Sequence, residues 1–205
     1  CLCYYMLFVL VYVRCVVSVS FVCHKLCLCA ICSSCGLISN AGVMVCSNMV
    51  FGNILLDNLK QMKVKKFINF SSVWENYNGI KDNILNLYSV YKKSFSLLMT
   101  FYEKLYPTIK FYNLNISDTF GKNDKRKKLI NTLRVNFKNN KLTNIVSSKL
   151  HMNLVNIIDI INCVNLIINK SIKSGSYSLV NSRNYSILEI INKHKKNNKK
   201  KIKVK

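Results

Sequence analysis

Cysteine almost vanishes after Cys46: nine of the ten lie at or before it, and only Cys163 follows. A disulfide-stapled secreted domain spreads its cysteines through the fold. That class is therefore excluded for the long second part of the chain, which belongs in a reducing compartment and is expected to be cytoplasmic. Acidic residues are scarce too, 8 against 31 Lys and Arg in 205 residues, for a formal net charge of +23. The excess is spread and tail-heavy. Residues 1–47 carry 2 basic residues and no acid, residues 48–192 carry 21 basic and 8 acidic, and residues 193–205 carry 8 Lys and no acid. Glycine is thin at 6 residues, and no G-x-x-G-x-x-G or G-x-G-x-x-G occurs; Gly36, Gly42 and Gly52 have the wrong spacing for a phosphate-cradling turn. Apolar residues are plentiful, at 50%, which excludes a disordered chain and favours one globular domain.

Residues 2–22 form an apolar run broken only by Arg14 and two serines. As a helix it would span roughly 30 Å, the hydrocarbon thickness of a bilayer. Arg14 near its middle costs about 2.5–3.5 kcal/mol on insertion, so a membrane anchor is permitted rather than required. A signal peptide fits less well, because the run is too long for its apolar region and no charged segment precedes it. His24, Cys27, Cys29, Cys32 and Cys35 follow, and a C-x-C-x-x-C-x-x-C spacing can supply thiolates to zinc or an iron–sulfur cluster. A Cys-saturated, acid-free stretch ending at a composition break reads more simply as a leader, so residues 1–47 are set apart and no metal ligand is assigned.

From Asn48 the periodicity changes. Val50, Ile54, Leu55, Leu59 and Met62 recur at helical spacing, and residues 67–70 (FINF) give a strand ending at Ser71 and Ser72. Leu87, Val90, Tyr91, Ser94, Leu97, Leu98, Phe101 and Leu105 predict a long amphipathic helix that stops before Pro107. Residues 109–116 read as a strand, 118–126 as a loop, 127–137 and 157–169 as helices, 176–180 as a strand and 187–193 as a short helix. Alternation of this kind predicts an α/β fold, with 67–70 and 109–116 as parallel neighbours joined by the long helix. The tail 193–205 has no aromatic stacking platform and reads as solvated and disordered, so nucleic acid is not the expected partner.

Tyr88 and Lys92 stand one turn apart on the long helix, and a lysine ammonium beside a phenol favours the phenolate, which suits proton transfer. Tyr77 with Lys81 and Tyr106 with Lys110 share the spacing but fall in a Gly/Asn loop and beside Pro107. With the strand-end serines, the segments FINFSSVWENYNG (67–79), NLYSVYK (86–92), ISDTFGKNDKRKKLINTL (116–133), LVNIIDI (154–160) and GSYSLVNSRNYSILEII (175–191) follow in order. The series resembles the NAD-dependent epimerase/dehydratases of the extended short-chain dehydrogenase/reductase superfamily, over residues 48–193.

That resemblance implies a partial Rossmann-like, doubly wound parallel sheet lacking its N-terminal strands, with a small C-terminal substrate-binding region. It implies NAD or NADP as cofactor, a nucleotide-linked sugar as substrate, and epimerisation, dehydration or reduction as the chemistry; a homodimer stays open. Ser72 would hydrogen-bond the reacting sugar oxygen, Tyr88 would move the proton, and Lys92 would hold the nicotinamide ribose. Ser71 would line the cofactor with Tyr88 and Lys92, and Trp74, Asp118 and Arg126 would face the substrate. Ile158 stands where the family usually has an aspartate, and the Gly-rich turn is missing. The chain thus reads as a C-terminal portion with impaired cofactor binding and an open sheet edge. Its rivals are a catalytically inactive remnant and a membrane-anchored basic protein.

Overall fold

The computed structural model describes residues 8–11, 16–18 and 40–198, apart from 123, 125, 127, 140, 146, 148 and 149. In chain order the elements are β1 (Phe8–Val11), β2 (Val16–Ser18), α1 (Asn40–Val45), a π-helical turn (Cys46–Val50), α2 (Phe51–Asn58), β3 (Lys66–Ser72), a 3-10 segment (Val73–Gly79), α3 (Leu87–Leu105), β4 (Lys110–Ile116), β5 (Asp118–Phe120), α4 (Leu129–Lys138), β6 (His151–Met152), β7 (Leu154–Asn156), α5 (Ile157–Asn169), β8 (Gly175–Leu179), β9 (Tyr185–Ser186) and α6 (Ile187–Asn198). They divide into two units, residues 1–116 with 165–178 and residues 117–164 with 179–205.

The first unit holds a five-stranded sheet in the order β2-β1-β3-β4-β8. β3 and β4 run parallel from the pair Lys66–Lys110 to the pair Ser72–Ile116, with α3 between them in the chain, as the sequence predicts. Alternation along β3 turns Phe67, Asn69 and Ser71 to one face and Ile68, Phe70 and Ser72 to the other. Leu55, Leu56, Leu59, Phe95, Met99 and Tyr102 close over Phe67 and Phe111 on the first face. A Cβ on Gly52 would run into the Phe95 ring, so this close approach of α2 to α3 requires glycine. α3 opens with a capping box: the Asn86 side chain accepts the Ser89 N–H at 3.0 Å and the Ser89 hydroxyl accepts the Asn86 N–H at 3.2 Å. On the second face the Lys66 ammonium donates to the carbonyls of Ile167, Ile168 and Lys170, at 2.6, 2.9 and 3.2 Å, capping the C-terminal end of α5.

Several expectations change. Helical structure begins at Asn40, ahead of residue 48. The run 2–22, weighed above as a helix, contains two strands instead, and β1 pairs antiparallel with β3 from Phe8–Asn69 to Val11–Lys66. The sheet is therefore mixed, and the edge of β3 expected to be open is covered over those residues. The rest of 2–22 lies outside the described residues, as do His24, Cys27, Cys29, Cys32 and Cys35. Among the described residues no helix is long and apolar enough to cross a membrane, and no group of three or more His, Cys, Asp and Glu is placed to hold a metal.

In the second unit β5 pairs parallel with β7, and β6 pairs antiparallel with β9. The segment read as a loop from residue 118 thus opens with a strand. α4 and α6 share a core of Leu133, Ile187 and Ile191. At the start of α6 the Glu189 carboxylate accepts the Ser186 N–H at 2.7 Å while the Ser186 hydroxyl accepts the Glu189 N–H at 3.1 Å. So capped, α6 continues past residue 193 to Asn198, which makes the first part of the basic tail helical; residues 199–205 lie outside the described residues.

Candidate active site

Ser72 ends β3 where the chain turns into the 3-10 segment, and its hydroxyl accepts the Trp74 N–H at 3.2 Å. The capping box fixes where α3 starts and so where Tyr88 and Lys92 emerge from its first turns. Lys92 is 1% exposed, and its ammonium donates to the Phe70 carbonyl at 2.9 Å, two residues before Ser72. The same nitrogen lies 5.8 Å from the centre of the Tyr88 ring, and the Trp74 and Tyr88 rings meet edge to face at 6.5 Å. Each of Ser72, Trp74, Tyr88 and Lys92 is thus tied to the next around the C-terminal end of β3. Ser71 is buried beside them, and its hydroxyl has no partner among the described residues.

Burial pushes Lys92 down to about 8, and the charge of Glu75 pulls in the opposite direction. Glu75 was not singled out from the sequence, where it sits in a polar turn after the strand. It is buried, and its carboxylate accepts the Ser96 hydroxyl at 2.8 Å. Burial pushes it up to about 7 against the pull of Ser96, Lys93, Lys92 and the Ser72 amide. A chain of polar groups leads to it: Asn69 donates to Asn113 at 2.7 Å, and Asn113 donates to the Ser96 hydroxyl at 3.0 Å. Glu75, Lys93, Ser96, Asn113, Asn115 and Ser176 help line a cleft of about 250 Å³ beside α3.

Asp118 and Arg126 belong to the second unit. The Asp118 carboxylate pairs with Lys128 at 3.3 Å. Arg126 forks onto Asp124, with Nε at 2.8 Å and Nη2 at 2.7 Å, and Nη2 also reaches the Thr119 hydroxyl at 2.8 Å. The guanidinium is therefore held by its own loop, and its hydrogen bond with Asp124 drives the carboxyl below the usual carboxylate range. Asp124 is the partner that the sequence reading passed over, although a spacing of two residues in a turn is a local signal.

The donors at the end of β3 fit the nicotinamide-ribose half of a dinucleotide. Lys92 keeps two N–H bonds beyond the one to Phe70, and the buried Ser71 hydroxyl is without a partner among the described residues. For the pyrophosphate half the sequence offers no Gly-rich turn.

No family model matches the chain. CDP-abequose synthase from Yersinia pseudotuberculosis is 28% identical over 167 residues, covering 74% of this chain and 57% of that protein. UDP-glucuronic acid 4-epimerase from Bacillus cereus, solved with NAD, superimposes with a TM-score of 0.72 at 21% identity, covering 81% of this chain and 56% of that one. UDP-glucose 4-epimerase from Thermus thermophilus, also solved with NAD, gives a TM-score of 0.70 at 14% identity, covering 78% and 57%. The chain thus spans less than two thirds of the length of these relatives, and what they share with it at such identities is the fold.

Proposed function

We propose that this chain belongs with the NAD-dependent epimerase/dehydratases and corresponds to part of an enzyme acting on a nucleotide-linked sugar, a reading supported by its similarity to CDP-abequose synthase and by the fold it shares with the epimerases. The observation that carries the reading is the cluster at the end of β3, in which Lys92 is anchored to Phe70 and stacked under Tyr88. When bound, NAD or NADP would supply hydride acceptance and donation. Ser72 would then orient the reacting sugar oxygen through its hydroxyl, and Tyr88 Oη would take or return the proton. The Lys92 ammonium favours the phenolate by its charge and offers its remaining N–H bonds to the nicotinamide ribose. Trp74, packed on Tyr88, walls the place where the sugar would sit. Asp118 and Arg126, in the other unit, carry substrate roles by the resemblance alone, and Arg126 would have to leave its fork on Asp124 to take one. A reducing, cytoplasmic setting suits the free thiol of Cys163.

A homodimer belongs to the same proposal. Val90, Leu97, Phe101 and Leu105 form one stripe on α3 and are 36%, 60%, 59% and 51% exposed. Two copies related by a two-fold axis would bury that stripe against itself. Titration of the purified chain with NADH, read by nicotinamide fluorescence, tests the cofactor assignment. Binding is expected to be weak and to disappear in Lys92→Met; binding that Lys92→Met leaves untouched would remove the site from the end of β3.

A further inference from the structure

Among the described residues the two buried charged side chains are Lys92 and Glu75, 1% and 3% exposed, and they have opposite signs. A buried ammonium without a counter-charge gives up its proton or draws in water, so a neighbouring carboxylate decides its state. Glu75 is held from both sides for that task. Ser96 on α3 donates to it at 2.8 Å, and the Ser72 amide at the end of β3 lies within its reach. Other charges near it are already engaged or more distant: Lys93 is paired with Asp82 at 3.0 Å and donates to Asn76 at 3.1 Å, and Glu103 stands farther along the cleft wall. Among the described residues, the polar groups that line its cleft from β4 and β8 are neutral, namely Asn113, Asn115 and Ser176.

We propose that Glu75 is a positioning residue for the Tyr88–Lys92 pair: its carboxylate, seated between Ser96 and the end of β3, is the counter-charge that keeps the Lys92 ammonium protonated against the Phe70 carbonyl. The purpose of that charge rests on the nicotinamide site proposed above, but the charge pair itself does not.

The test is the titration of Lys92 itself, read from its ε-carbon signal in protein labelled with ¹³C-lysine and assigned by its loss in Lys92→Met. The wild-type midpoint is expected near 8, as burial opposed by Glu75 dictates. Glu75→Gln should move it to lower pH. Ser96→Ala, which removes the hydrogen bond holding Glu75 down, should raise the Glu75 midpoint and lower that of Lys92, as Glu75→Gln does, so the pair stays testable where Glu75→Gln fails to fold. A Lys92 midpoint unmoved by either variant overturns the proposal, even where both variants are less stable, since a structural role alone would change stability without touching the titration. NADH titrations of the same samples separate the two readings: a shifted Lys92 with no NADH binding in the wild type keeps the charge pair and rejects the cofactor site.

Discussion

Lys92 has an ordinary value of 10.5 and is lowered to about 8 by burial, so its charge thins out as pH rises through the mildly alkaline range. NADH binding is accordingly expected to weaken from about pH 8 upward, measured as Kd between pH 6 and 9. Tyr88→Phe keeps the ring that packs on Trp74 and should retain that binding, whereas Lys92→Met should lose it; equal loss in both would place the cofactor elsewhere. Glu75 gives a second pH effect with a definite sign. Its value rises from 4.5 to about 7 on folding, so between those limits the folded chain holds a proton that the unfolded chain has released. Its contribution to stability is full below pH 4.5 and lost as pH climbs through 7. Lys92 acts in a different window, since a lowered lysine penalises the fold fully below about 8 and releases that penalty toward 10.5. The thermal midpoint should therefore fall between pH 4.5 and 7, and Glu75→Gln should flatten that fall.

Among the elements, α3 carries the most, because its start sets the direction of Tyr88 and Lys92. Asn86→Ala removes the capping box and should cost about 1 kcal/mol in urea unfolding, with a loss of NADH affinity if the first turn frays. Gly52→Ala pushes a methyl group into the Phe95 ring and should cost about 1–3 kcal/mol by overpacking. Denaturation midpoints of the two variants check both figures. α3 and β4 were legible in the sequence because each keeps its pattern over seven residues or more, and β3 because its compact run FINF stops at two serines. β5, β6, β7 and β9 have two or three residues each, too few for a period to show, and their partners lie far off in the chain. The candidate serine, tyrosine and lysine were readable from strand end and helical spacing. Glu75 was not, because its burial comes from α3 and the Asn69–Asn113 pair, which no local pattern announces.

For the whole molecule, the missing Gly-rich turn governs affinity. Charged hydrogen bonds to a pyrophosphate contribute about 1.5–3 kcal/mol each, and every 1.4 kcal/mol or so is tenfold in Kd. The chain alone should therefore bind NADH orders of magnitude more weakly than a complete relative, and micromolar binding by calorimetry would reveal a phosphate site outside the residues named. Sedimentation should show self-association in the wild type that Phe101→Glu abolishes; an unchanged profile would leave the α3 stripe without a partner. The antiparallel pairing of β1 with β3 sets a condition on any larger assembly. One strand can occupy that side of β3, and Phe8–Val11 already fills it as far as Asn69, one position short of the carbonyl that receives Lys92. A parallel strand arriving from another segment must evict β1 before it can dock. Completion of the sheet would then be a competition between two ladders for one edge, and the amides of Lys66 to Asn69 would report the winner by their rates of hydrogen exchange.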